Sequence, residues 1–427
     1  MEKIVIKGGN RLSGEVSISG AKNAVAAILP ATILAEETCV IENVPDIYDV
    51  TTLLSILSEM GAEIRMINRS SISINTTRIS RPVVPYHLAK QLRASYYFLG
   101  VLLAKFNHAE VSFPGGCNFG TRPIDQHFKG FRCLGAQDSI DQGGMINVHA
   151  ETLTGSRVYL DMASVGATIN IMLAAVKAQG LTVIENAAKE PHIVDLANFL
   201  NSIGAQIMGA GTDVIKIHGV ERFTGATYSV IPDQIECGTY MVAAASTRGD
   251  VLLKNIIPKH MEPITSKLQR MGVDVQEFDD SIRIRVSGVL EKNNIKTMPY
   301  PGFPTDMQPQ MTALMTCAEG TSIMAENVWD NRFQYVDELR RMGAKISVDG
   351  KVAVVEGGEL TGAPVCATDL RAGAAMVIAG LAAKGVTEIE NINYIERGYE
   401  NMIQKLTKLG ADIRKTYVPE QEIKRAL

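Results

Sequence analysis

No apolar run in this chain is long enough to cross a bilayer. Its most apolar stretches, such as AAMVIAGLAAKG from Ala374, fall short of the roughly 20 apolar residues a spanning helix needs. The opening MEKIVIKGGNRLSGEV also lacks the apolar centre of a secretory signal, so a cytoplasmic protein is expected. The Asn-x-Ser/Thr triplets at Asn68 and Asn75 therefore carry no expectation of glycosylation. Charge of one sign is missing as well. A formal net charge of −4 gives no global pull towards nucleic acid or an acidic membrane, so any anion must be met by local cations. C-x-x-C is absent among the six cysteines, and none stands at zinc spacing from a histidine. A disulfide framework does not suit a chain of this size in a reducing compartment. Cys39, Cys133, Cys237, Cys317 and Cys366 read as buried small apolar residues.

Cys117 reads differently. It lies in FPGGCNFGTRP, residues 113–123, with glycines at 115, 116 and 120 and an arginine at 122. Glycine frees the backbone and removes side-chain cover, so this thiol is expected on a mobile loop that acts as a lid.

What the chain does contain is a repeat. One tag recurs as EMGAEI, CLGAQD, SIGAQI, RMGVDV, RMGAKI and KLGADI. Its glycines are Gly61, Gly135, Gly204, Gly272, Gly343 and Gly410, at spacings of 74, 69, 68, 71 and 67 residues. Each tag closes an amphipathic helix. Before Gly61 the stripe is Ile47, Val50, Leu53, Leu54, Leu57 and Met60. The glycine fits a helix C-cap, and a strand follows. Upstream stand short strands, CVIENVP, LTVIENAA, VLLKNIIP and TEIENINY among them. Before those come helices apolar nearly all round, such as VGATINIMLAAVKAQG, which must be buried. Paired strands complete the unit, as in KIVIKGGNRLSGEVSIS.

The expected fold class is therefore α/β, with two similar lobes. Each holds three ββαβαβ-type repeats, with buried helices inside and sheets and amphipathic helices outside. One lobe is 22–231, carrying the cysteine loop at about 112–123. The other is 1–21 plus 232–427, and the groove between them is the default site. Period alone leaves one continuous solenoid as the alternative.

The units differ where chemistry is expected. The longest spacing contains the cysteine loop. The buried-helix starts put Lys22, Arg93, Asp306 and Arg371 at equivalent corners, and the amphipathic-helix starts add Arg122, Arg332 and Arg397. Helix N-termini favour anions, and several cations there suit a ligand with more than one anionic group.

SGAKNA, PGGCNFGTRPID, SVGAT, FPTDMQPQ, DNRF, TDLRAG and ERGYE, in this order, resemble the UDP-N-acetylglucosamine 1-carboxyvinyltransferase (enolpyruvyl transferase) family, from Lys3 to about residue 415. The resemblance implies the enolpyruvyl transferase fold. It implies transfer of enolpyruvate from phosphoenolpyruvate to the 3′-hydroxyl of UDP-N-acetylglucosamine with release of phosphate, the first committed step of peptidoglycan synthesis. That ties the chain to cell-wall biogenesis, cell shape and division. It implies no metal and no organic cofactor, and the two small-molecule substrates as partners, with no nucleic acid and no membrane insertion.

By the same resemblance Lys22, Arg122 and Arg397 are phosphate ligands. Arg371 with Arg397 clamps the carboxylate, and Arg93 and Arg332 are further charged groups of the closed site. Cys117 is the proton donor, the residue that forms a covalent adduct with phosphoenolpyruvate and is alkylated by fosfomycin. Nearby cations would lower its thiol from a free value of about 8.5. Asp306 takes the hydroxyl proton. Asn23 and Val328 meet the sugar. Arg122, Pro123, Ile124 and Asp125 meet uracil and diphosphate, and Ser164, Val165 and Gly166 form a diphosphate-binding turn. Where some family members carry a lysine two residues before that serine, this chain has Met162. Two rivals remain: 5-enolpyruvylshikimate-3-phosphate synthase, against which GAKNA and PGGC speak, and a non-catalytic regulatory paralogue, against which the retained Lys22, Cys117, Asp306, Arg371 and Arg397 speak.

Overall fold

The six tag glycines occupy backbone conformations that side chains rarely adopt, with φ between +85° and +116°. One residue beyond each, an N–H reaches back to the carbonyl five residues earlier. Ala62 donates to Leu57, Ala136 to Phe131, Ala205 to Leu200, Val273 to Leu268, Ala344 to Leu339 and Ala411 to Leu406, at 2.9–3.1 Å. This is the Schellman closure, and it ends the six amphipathic helices Tyr48–Glu59, Asp125–Cys133, Pro191–Ser202, Pro258–Arg270, Val336–Arg341 and Met402–Lys408. The computed structural model describes residues 2–113 and 124–417.

The chain divides into two units, Gly20–Ile231 and Met1–Ser19 with Pro232–Leu427. Each has its own apolar core. In the first unit the buried helices are Lys22–Ala31, Tyr97–Phe106 and Val165–Ala175; in the second they are Gln234–Ser246, Gln308–Met315 and Leu370–Ala382. Alanine, glycine and β-branched residues make up most of Lys22–Ala31, Val165–Ala175, Gln234–Ser246 and Leu370–Ala382, so neighbours can sit close. Every residue from Ala167 to Ala175 is buried, as is every residue from Ile235 to Ser246. Three starts are capped by side chains: Ser164 accepts from the N–H of Ala167, Asp233 from Ile235 and Glu236, and Asp369 from Arg371 and Ala372.

Among the described residues, five sheets have four strands and one has three. In each four-stranded sheet one pair is parallel and the rest antiparallel; Thr227–Ser229 runs beside Cys39–Glu42 with Thr227 opposite Val40. A second recurrent device closes that parallel pair. Asn43, Asn186, Asn255 and Asn391, each just past its strand, adopt φ between +55° and +58°. The side-chain amide of Asn43 then donates to Val230 O at 2.8 Å, that of Asn186 to Leu160 O at 2.8 Å, and that of Asn255 to Ile18 O at 2.7 Å. The strand Glu2–Lys7 lies between Val386–Glu390 and Asp412–Tyr417, so the start of the chain is held by its last described elements.

Among the described cysteines, only Cys39 and Cys237 are buried as expected. Cys133, Cys317 and Cys366 are partly exposed because they lie at element ends, where core packing stops. No helix among the described residues is long and apolar enough to cross a membrane.

Candidate functional site

In Gly20–Ile231 the buried helices begin with cations or polar groups and no carboxylate in the first turn. Lys22 opens the first helix, and its ammonium lies 2.9 Å from the buried carboxylate of Asp49, in the first turn of the next amphipathic helix. Asn23 follows, half-buried. Arg93 opens a short 3-10 turn, Arg93–Tyr96, that leads into the second helix. Ser164 caps the third, with Val165 and Gly166 in its first turn. At the far ends of these helices Lys105 is pushed down by burial and by Lys177, against a pull from Glu36. Each helix start carries partial positive charge, which favours anions there.

Ile124 is buried and precedes the helix Asp125–Cys133; Asp125 is exposed and bonded by the amide of Gln126 at 2.9 Å. That amide also donates to Asp161 at 3.0 Å, whose other oxygen accepts from Lys129 at 2.7 Å. Met162, beside Asp161, is 60% exposed, so the lysine that some family members place there is replaced by a solvated thioether. Cys117, Arg122 and Pro123 lie outside the described residues.

The second unit treats its helix starts differently. Asp233, Asp306 and Asp369 stand at them. Arg371 is buried and donates through Nε and Nη2 to one oxygen of Asp306, at 3.2 and 3.0 Å. Arg332, also buried, brings Nη2 to 3.8 Å from the other oxygen. The Arg371 guanidinium also lies over the Tyr399 ring, 5.4 Å from its centre. Burial opposes its charge, but its neighbours, Asp306 and Asp233 among them, outweigh this and hold its ionisation above the ordinary arginine range. Asp306 remains a third exposed. So Asp306, Arg332 and Arg371 come together: Asp306 and Arg371 at equivalent buried-helix starts, Arg332 ahead of the amphipathic helix between them. Arg397, half-buried, follows the short helix Asn393–Glu396 two residues before Tyr399.

Val328 sits in a turn built on Glu326, which sequence reasoning missed. Glu326 is buried and accepts from the N–H groups of Val328 and Trp329 at 2.8 and 3.0 Å. It also accepts from the hydroxyls of Thr297 and Thr305 at 2.8 and 3.0 Å. One carboxylate thus joins the Val328 turn to the residue before Asp306. Asp49 was missed too; it stands in the first turn of an amphipathic helix. The third is His127, buried beside Gly166. Burial, then the charge of Arg93, push its ring down to about 4 against a pull from Asp125. Two open grooves of the second unit lie away from these residues: one of about 640 Å³ on the sheet face with Glu15, Phe278 and Arg283, another of about 540 Å³ at the helix C-termini with Arg248, Cys317 and Lys384.

The family model for EPSP synthase (3-phosphoshikimate 1-carboxyvinyltransferase) matches residues 6–406. A curated relative from Caldanaerobacter subterraneus, named UDP-N-acetylglucosamine 1-carboxyvinyltransferase 3, is 56% identical over 97% of this chain and 99% of its own. One from Clostridium botulinum, named UDP-N-acetylglucosamine 1-carboxyvinyltransferase, is 55% identical over the same shares. Among solved structures the chain is similar to the enolpyruvyl transferase NikO from Streptomyces tendae, with TM-score 0.89 and 28% identity over 98% of this chain and 99% of that one. It shares its fold with EPSP synthase from Acinetobacter baumannii at TM-score 0.78 and 20% identity, covering 98% and 100% of the two chains. With a family model spanning most of its length and relatives above half identity over nearly all of it, the chain belongs to the enolpyruvyl transferase family, on its UDP-N-acetylglucosamine 1-carboxyvinyltransferase branch.

Proposed function

We propose that this enzyme transfers enolpyruvate from phosphoenolpyruvate to the 3′-hydroxyl of UDP-N-acetylglucosamine and releases phosphate, the first committed step of peptidoglycan synthesis. The observation that carries this reading is the 56% identity, over nearly the full length of both chains, to a protein bearing that activity in its name. The shikimate-directed rival shares the fold but only 20% identity in the solved example.

The chemistry divides among named side chains. Lys22, Arg122 and Arg397 hold the phosphate, and Arg371 with Arg397 the carboxylate. Holding both anionic groups turns an encounter into an oriented reaction. Asn23 and Val328 orient the sugar. Arg93 and Arg332 complete the charged surround. Arg122, Pro123, Ile124 and Asp125 meet uracil and diphosphate, with Ser164, Val165 and Gly166 at the helix start. Asp306 accepts the 3′-hydroxyl proton as that oxygen bonds to carbon 2, while Cys117 delivers a proton to carbon 3. The tetrahedral adduct then loses a carbon 3 proton and the carbon–oxygen bond to phosphate breaks, restoring the double bond as an enol ether. The grip of Arg371 on one Asp306 oxygen supports this assignment, because it fixes the carboxylate while the group stays partly open.

The test is phosphate release with each acceptor. Release with UDP-N-acetylglucosamine and none with shikimate 3-phosphate is expected. Binding of the sugar nucleotide without phosphate release would favour the non-catalytic paralogue instead. Cys117→Ser should abolish turnover while calorimetric binding of the sugar nucleotide stays within about twofold; normal turnover in that variant would remove Cys117 from the mechanism.

A further inference from the structure

One tyrosine of the second unit is met by all three of its buried helices. Tyr399 is 3% exposed and follows the short helix Asn393–Glu396. Its hydroxyl oxygen lies 3.0 Å from Thr239 Oγ1, on Gln234–Ser246, and 3.2 Å from Gln310 Nε2, on Gln308–Met315. The direction of these bonds follows from the single proton of Thr239, which goes to the carbonyl of Ile235 at 2.7 Å. Tyr399 must then donate to Thr239, and its own oxygen accepts from the Gln310 amide. With its proton and a lone pair both committed, the ring is fixed in place. The third helix, Leu370–Ala382, contributes Arg371, whose guanidinium lies over that ring. Burial pushes the ionisation of the Tyr399 hydroxyl up, and the charge of Arg371 and the bond to Thr239 pull it back. Nε and Nη2 of Arg371 both go to Asp306. Its Nη1 is buried and has no hydrogen-bond partner among the described residues. A buried charged donor in that state is costly unless a ligand meets it.

We propose that Tyr399 is a positioning residue for phosphoenolpyruvate: locked by Thr239 and Gln310, its ring holds the Arg371 guanidinium so that Nη1 meets the substrate carboxylate. The inference rests on the functional reading above. Tyr399 does not touch the substrate and acts through Arg371. Two contacts set the guanidinium, the Asp306 carboxylate along one edge and the aromatic face against its plane. If the ring could turn, the ion pair with Asp306 alone would place Arg371, and Nη1 would no longer be aimed. The substrate carboxylate should feel this, whereas the phosphate, held by Lys22, Arg122 and Arg397, should not.

Steady-state kinetics of three variants test it, each checked for folding by thermal melting. Tyr399→Phe keeps the ring and loses the tie. Its KM for phosphoenolpyruvate should rise roughly 3- to 10-fold, the loss expected for one neutral hydrogen bond. Tyr399→Leu, which also removes the aromatic face, should raise it further, by at least about twofold. In both, the inhibition constant of inorganic phosphate, which has no carboxylate, and the Kd for UDP-N-acetylglucosamine should stay within about twofold. A merely structural role would move all three constants together. Thr239→Val should reproduce part of the Phe effect and add little to it in the double variant, because the two changes break one bond. Unchanged KM for phosphoenolpyruvate in Tyr399→Phe overturns the proposal, as does equal weakening of phosphate and phosphoenolpyruvate. Should the Tyr399 variants fail to fold, Thr239→Val must raise that KM alone, and an unchanged value there overturns the proposal too. Wild-type protein that releases no phosphate with UDP-N-acetylglucosamine overturns the functional reading and this proposal with it, a result distinct from an active enzyme indifferent to position 399.

Discussion

At the scale of single residues, the two units handle charge in opposite ways. Lys22 is half-buried against the 4%-exposed Asp49, so the carboxylate fixes where the ammonium points. Removing Asp49 should therefore be felt in catalysis and not only in folding. Asp49→Ala should raise the KM for phosphoenolpyruvate by tenfold or more, and a double-mutant cycle with Lys22→Ala should return a coupling of about 1–3 kcal/mol in stability. Additive effects would mean that the pair does not act as one. The sequence displayed Lys22 in SGAKNA but held no cue to Asp49. The partners are 27 residues apart in different helices, and an acid in the first turn of a helix is ordinary. His127 was illegible for a similar reason: what makes it unusual is its exposure and its bond to Asn170, both properties of the folded chain.

At the scale of elements, the repeat was legible because its closure depends on glycine itself. At Gly343 the φ is +89°, and the nearest atom to an added side-chain carbon is 3.9 Å away. Gly343→Ala should thus cost only the backbone term, on the order of 1 kcal/mol, seen as a lower urea midpoint with an unchanged slope. The asparagines that lock the parallel strand pairs stood in the same repeats and passed unread, since asparagine after a strand signals a turn of any kind. Glu326 shows what sequence cannot reveal. Its four accepted bonds come from segments around 297, 305 and 328, which only the fold assembles. Glu326→Ala should leave two part-buried N–H groups and two threonine hydroxyls without their acceptor, at a cost on the order of 3 kcal/mol. It should also lower kcat/KM for the sugar nucleotide more than that for phosphoenolpyruvate, because it loosens the Val328 turn. Equal loss for both substrates would assign Glu326 a purely structural role.

At the scale of the whole molecule, the division into repeats and two units followed from period and size, while the balance of ionisations within Gly20–Ile231 did not. Asp195 is buried, accepts from the Tyr228 hydroxyl at 2.5 Å, and is pushed up to about 6, chiefly by burial. A carboxyl raised in the folded state contributes stability that is full below its unfolded value near 4 and is lost as pH rises through about 6. His127, lowered to about 4, does the reverse: its contribution is present above about 6.5 and is lost as pH falls towards 4. Each is worth about 3 kcal/mol, and the two windows overlap, so they largely offset each other in the wild type. Asp195→Asn should uncover a melting temperature that climbs from pH 4 to 6.5, and His127→Gln one that falls over the same interval. Parallel profiles for wild type and both variants would show that neither group titrates as its surroundings dictate.

The placement of the first strand has a consequence for synthesis on the ribosome. Glu2–Lys7 is made about 380 residues before its neighbours, Val386–Glu390 and Asp412–Tyr417. The uninterrupted stretch Gly20–Ile231 has all its partners within reach long before then. Nascent chains should accordingly acquire protease resistance in that stretch first, while Glu2–Lys7 waits, unpaired, until those two strands have been made.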